Sequence, residues 1–187
     1  TVVELALASY PGFFATTPPS RESPYGVYWP ALVPRSFVTQ EVVLEDGTRV
    51  EVPDPPHGDS TRESAGRDPR FAVHSDPTRS LPLGTIVGAR SGDKGGNANI
   101  GVWARTDAAY AWLAEELTVA RLRDLLPETA ALEIDRYELA NIRGINFVVH
   151  GILGQGVASS TRFDPQAKSL GEWLRSRHVD IPESLLT

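Results

Sequence analysis

The sequence predicts an α+β sandwich: a mixed or antiparallel sheet with helices packed on one face. Three observations carry this. In GINFVVHG, residues 144–151, the apolar Ile145, Phe147 and Val149 alternate with Asn146, Val148 and His150, the period of a half-buried strand. Ala109, Trp112, Leu113 and Leu117 recur instead at helical spacing. Segments of these two kinds follow one another over residues 81–180 as strand, strand, helix, strand, strand, helix.

Taken in order, the chain opens on TVVELALASY, which reads as a buried strand. Thr1 has several readings: the residue left when an initiator methionine is removed, the first residue of a piece of something longer, or an N-terminal nucleophile. SYPGFFATTPPSRESPYGVYWPALVPR follows, and its prolines exclude a regular helix or a central strand. It is expected to run extended, with Phe13, Phe14, Tyr25, Tyr28 and Trp29 packed on some surface. EVVLEDGTRVEV, residues 41–52, places Asp46-Gly47 between two β-rich runs as a two-residue hairpin turn, with Val43 opposite Val50 and Leu44 opposite Arg49. Neither face of that hairpin is apolar, so it belongs at the periphery. Residues 57–80, rich in Pro, Asp, Ser, Gly and Arg, read as a linker between a 1–56 segment and an 81–180 domain. Ser60 and Glu63 have capping-box spacing, but no apolar run follows and no helix is expected there.

Within 81–180, LGTIVGAR and NIGVWAR are strands, and Ile100, Val102 and Ala104 share one face of the second. A helix follows with Thr106 or Asp107 as its cap, continues through Val119, Leu122, Leu125 and Leu126, and stops at Pro127. LEIDRYEL and GINFVVHG are the next strands. Ser169 and Glu172 form a capping box ahead of Leu170, Trp173 and Leu174. Trp103, Trp112 and Trp173 are assigned to the core. This order is close to a ferredoxin-like arrangement.

Composition narrows the function. The net charge is −6 and no Lys/Arg cluster occurs, which argues against nucleic acid as a partner. No apolar run approaches the roughly 20 residues that cross a bilayer, and no secretory signal is visible, so no membrane partner and a cytoplasmic location are expected. Cysteine is absent, which excludes disulfides and thiolate chemistry. His57, His74, His150 and His178 fall into no zinc spacing, and neither a metal site nor a cofactor is expected.

Chemistry concentrates in ARSGDKGGNANIGV, residues 89–102. It matches neither a P-loop nor GxGxxG. Gly92, Gly95 and Gly96 permit an anion-binding nest of backbone N–H groups, with Arg90 and Lys94 adding positive charge. Asp93 is a candidate to accept a proton or orient Lys94. Ser91, Asn97 and Asn99 are candidate substrate-binding residues, the amides being suited to fixing a carbonyl or hydroxyl. If the face bearing Asn99 meets the one bearing Asn146 and His150, polar groups converge on a pocket. The competing reading is a polar turn. His150 is a candidate general acid or base, or a strand-end histidine bonded to a backbone carbonyl.

Three stretches, SYPGFFATTPPSRESPYGVYWPALVPR, ARSGDKGGNANIGV and YELANIRGINFVVHGILGQGV, together resemble the C-terminal part of acyclic terpene utilisation proteins, the AtuA family. The first resembles the closing segment of that family's large N-terminal domain, the other two its small ferredoxin-fold domain. The resemblance implies a bacterial catabolic role on acyl-CoA or related anionic, carboxyl-derived terpenoid substrates. It also implies that 1–56 is the tail of a missing larger domain. In that reading Asp93, Lys94 and His150 are catalytic, and Arg90, Ser91, Asn97, Asn99 and Asn146 bind substrate. The partner is then a large AtuA-type domain or subunit, or another copy of the chain. The alternative is a non-catalytic ferredoxin-like subunit for interaction or oligomerisation.

Overall fold

The computed structural model describes residues 21–22, 24–27, 29–54 and 76–186. The strand expected over 1–10, Thr1, and most of the 57–80 linker with its Ser60–Glu63 pair lie outside these residues. Tyr25 and Trp29, in the proline-rich segment, are exposed.

β1 (Glu41–Val43) and β2 (Arg49–Glu51) form the expected hairpin with every residue exposed, but in another register. Val42 faces Val50 and Val43 faces Arg49. The Leu44 N–H donates to the Thr48 carbonyl and the Thr48 N–H to the Asp46 carboxylate. Gly47 takes the left-handed conformation at φ 84°. A three-residue loop with Gly in that position replaces the two-residue turn, and each partner shifts accordingly.

β3 (Thr78–Pro82) pairs antiparallel with β8 (His178–Pro182) and ties the two ends of the domain together. Residues 78–80, expected in the linker, therefore belong to the folded unit. Between them lie β4 (Val87–Lys94), β5 (Asn97–Ala104), α1 (Asp107–Glu116), α2 (Val119–Leu125), β6 (Ile134–Leu139), β7 (Gly144–Val149) and α3 (Leu170–Ser176). β4, β5, β7 and β6, in that order, make one four-stranded antiparallel sheet. The three helices and the two-strand, helix, two-strand, helix order give the expected ferredoxin-like α+β fold.

Alternation fixes which face of the sheet is covered. Val87 and Ala89, then Ala98, Ile100, Val102 and Ala104, then Ile145, Phe147 and Val149 are buried against Leu113, Leu117, Leu122, Leu126, Leu170 and Leu174. Thr106 caps α1, its hydroxyl accepting from the Ala109 N–H at 3.1 Å. The helical pattern from Ala109 to Leu126 is two helices: Thr118 caps α2 separately, accepting from the Arg121 N–H. Arg136, on the covered face of β6, closes the end of α1 by donating to the Ala114 and Leu117 carbonyls.

The Ser169–Glu172 capping box does not form. Asp164 does that work: its carboxylate accepts from the Lys168 N–H, the Ser169 N–H and the Ser169 hydroxyl. Burial opposes charge on Asp164, but the bonds from Ser169 and Lys168 outweigh it and hold the carboxyl below its ordinary value. Asp164→Ala is expected to lower stability by about 1 kcal/mol at neutral pH, as for loss of a helix cap. A depressed folded pKa stabilises above the unfolded value near 4 and stops doing so as pH falls through the folded value. Urea unfolding of both proteins from pH 7 to 3 should show the gap closing only below about pH 4.

Trp103 and Trp173 are not core residues. Trp103 lies over Gly88 on the outer face, and Trp173 stacks under the Arg177 guanidinium, 4.8 Å from its ring centre.

Candidate functional site

The strands run straight through most of the glycine-rich stretch. β4 extends to Lys94 and β5 starts at Asn97, leaving only Gly95-Gly96 as the turn. Gly95 has φ 64°, as the first position of a type II′ turn requires. The expected nest of Gly92, Gly95 and Gly96 is absent: Gly92 is paired with Asn99 in the ladder, and Gly96 is pressed against the Gly154 carbonyl.

Among the described residues no helix covers the other face of the sheet, and period two assigns its residues. Away from the hairpin tip, β4 contributes Arg90 and Gly92, β5 Asn99, Gly101 and Trp103, β7 Asn146 and Val148, and β6 Asp135 and Tyr137. On this face the Asn99 Nδ2 donates to the Asn146 Oδ1 at 3.3 Å, both residues being half-buried. The convergence expected of these two asparagines is thus realised as a bonded pair. Gly101 lies beside them without a side chain.

Among the described residues, the His150 ring bonds to no backbone carbonyl. Its Nε2 lies 2.9 Å from the Asp135 Oδ2, and the Tyr137 hydroxyl donates to the same oxygen at 3.3 Å. The His150 bond, with a smaller contribution from Tyr137, holds the Asp135 carboxyl below its usual range. The Asp135 charge in turn pushes the Tyr137 phenol up. Asp135 therefore favours its ionised form and fixes the imidazole, an arrangement suited to moving a proton.

The remaining candidates lie elsewhere. The Asn97 Oδ1 accepts from the Gly151 N–H at 2.9 Å and so anchors the chain after β7. Ser91 is buried under α3, its hydroxyl accepting from the Gly171 N–H at 2.8 Å. That bond fixes the helix on the sheet and removes Ser91 from any substrate surface. Lys94 donates to the carbonyl of its neighbour Asp93. Asp93 and Lys94 line a cleft of about 620 Å³ at the hairpin tip, with Gly26, Pro30 and Gln155 on its other walls. Tyr25 reaches this cleft edge through its bond to Gln155. The eight candidates therefore divide among the open sheet face (Arg90, Asn99, Asn146, His150), the tip cleft (Asp93, Lys94) and internal scaffolding (Ser91, Asn97).

Sequence reading missed Asp135 and Tyr137. Their alternation with Ile134 in LEIDRYEL is a usable signal once that strand is placed beside β7. It also missed Lys168, whose ammonium lies 3.8 Å from the Asp93 carboxylate and which carries no local signal. Among the described residues, no cluster of His, Asp and Glu could hold a metal ion, and no helix is long and apolar enough to cross a membrane.

Residues 81–180 match the family model of the AtuA ferredoxin-like domain, over more than half of the chain. No curated protein and no solved structure matches.

Proposed function

The chain belongs to the AtuA ferredoxin-like domain family, and from that premise we propose that it is the small-domain component of a cytoplasmic bacterial catabolic enzyme acting on an acyl-CoA or a related anionic, carboxyl-derived substrate. The observation that carries this reading is the sheet face on which, among the described residues, no helix packs, and where the Asn99–Asn146 amide pair lies on the same surface as the His150–Asp135 pair. Polar side chains in bonded pairs on an open sheet suit a ligand with fixed hydrogen-bonding groups better than they suit a solvated surface. Asn99 and Asn146 would orient the acyl carbonyl, Arg90 would meet the anionic part, and His150, oriented by Asp135, would exchange a proton. Asp93 and Lys94 would act from the tip cleft. A large AtuA-type domain or subunit would close the face and exclude water. The exposed Trp29, Leu32 and Phe37 ahead of the domain support such a partner, since they have no core of their own.

A second reading, a non-catalytic interaction subunit, draws on Trp103, Tyr137, Leu139 and Ile142, which are exposed toward one end of the same face. Calorimetry separates the two. The chain mixed with a large AtuA-type domain should bind butyryl-CoA, and Asn99→Leu with Asn146→Leu should weaken binding by at least about tenfold while leaving the complex intact. Complex formation with no binding of butyryl-CoA would favour the interaction subunit.

A further inference from the structure

The glycines on this face of the sheet are not all explained by the fold. Gly88 and Gly96 are required internally: a Cβ on Gly88 would meet the Trp103 ring at 2.4 Å, and one on Gly96 the Gly154 carbonyl oxygen at 2.2 Å. Gly92 and Gly101 differ. Among the described residues, a Cβ on Gly101 would meet nothing nearer than the Arg90 carbonyl at 3.7 Å, and one on Gly92 would meet the end of Lys168 at 3.3 Å and the Asn99 Oδ1 at 3.9 Å. Neither has positive φ. Glycine within a strand weakens it and often marks a place where something else approaches the backbone closely.

We infer that the floor over Gly92 and Gly101 is a subsite for a carboxyl-derived oxygen, a carboxylate or a thioester carbonyl, and that Lys168 rather than Lys94 supplies its cation. This rests on the reading of the open face given above. Gly92 pairs with Asn99, and Gly101 pairs with Arg90 across the same two strands, so the two glycines are diagonal neighbours on one surface. Lys168 precedes α3, its backbone is fixed by Asp164, and its ammonium reaches the space above Gly92. At 3.8 Å its approach to Asp93 is too long for a hydrogen bond, so that contact does not consume its donors. Lys94, by contrast, donates to its own neighbour's carbonyl. Arg90 brings a second positive charge to the face. The Asn99–Asn146 bond survives a concerted rotation of both amides, which turns a donor toward Gly92 in place of the acceptor. The surface thus offers an ammonium and an adaptable amide above two side-chain-free positions, Gly92 buried and Gly101 half-buried.

The test uses the full chain labelled with ¹⁵N and titrated with butyrate and with butyryl-CoA. Both should shift the Gly92 and Gly101 backbone amides. Lys168→Ala should weaken butyrate binding about tenfold, the loss of one charge-assisted hydrogen bond. Gly92→Val should abolish binding, because the new side chain takes the space that the end of Lys168 reaches. Wild-type affinity in Lys168→Ala or Gly92→Val, shifts confined to Asp93–Gly95, or no shift with either probe would overturn the subsite. Shifts at Gly92 and Gly101 with butyryl-CoA binding no tighter than butyrate would uphold the subsite and sink the acyl-CoA reading alone.

Discussion

Phe147→Ala is expected to cost about 3–5 kcal/mol, enough to leave much of the protein unfolded at 37 °C. Phe147 is fully buried, the largest side chain in that class among the described residues. It sits on β7, the strand flanked by both β5 and β6, between Ile100 and Arg136 in register. Removing the ring leaves a cavity under the helices that a paired strand cannot move to fill. Urea unfolding should show the midpoint falling sharply with little change in slope. Val148→Ala, one residue away on the open face, should cost far less. A similar loss from both would mean that the outer face is packed as tightly as the core.

Gly96→Ala is expected to cost about 3 kcal/mol. The methyl would overlap the Gly154 carbonyl oxygen, which is backbone and not the end of a flexible side chain. The same contact is held from both sides, because the Leu153 N–H donates to the Gly96 carbonyl and the Gly151 N–H to the Asn97 side chain. Hairpin tip and 151–156 loop would have to separate together. Gly151→Ala is the control: φ is 71° there but nothing among the described residues lies near its Cβ, so the left-handed strain of about 1–2 kcal/mol is the expected cost. Thermal melts should rank Gly96→Ala clearly below Gly151→Ala; the reverse order would mean that the tip yields and that backbone conformation governs the loop.

The sheet and its covered face were legible because Ile145, Phe147 and Val149, like Ile100, Val102 and Ala104, obey period two without exception. The hairpin tip was misjudged for a physical reason. Gly, Asp and Asn favour turns by local preference, and here Gly92, Asp93, Asn97 and Asn99 are strand residues. Trp103 was assigned to the core because aromatic burial is the common case, whereas its partner is the bare backbone of Gly88. The α3 cap was sought at Ser169 because Ser-x-x-Glu is a local pattern, while the carboxylate that does the capping belongs to Asp164, five residues earlier. In the candidate site, Asn99 with Asn146 could be foreseen as soon as their strands were made neighbours. Asp135, Tyr137 and Lys168 depend on strand order and on where a loop returns, and neither is written in any short window of sequence.

The central claim is that the open sheet face, through Asn99 and Asn146, holds the substrate. The side-chain NH₂ resonances of these two residues report on it directly, since each belongs to a group that would touch the ligand. Titrating butyryl-CoA into the ¹⁵N-labelled chain together with an unlabelled large AtuA-type domain should shift both NH₂ pairs further than the domain alone does, and saturably. If both remain where the domain alone leaves them while butyryl-CoA binds elsewhere or not at all, the amide pair is scaffolding and the account is wrong.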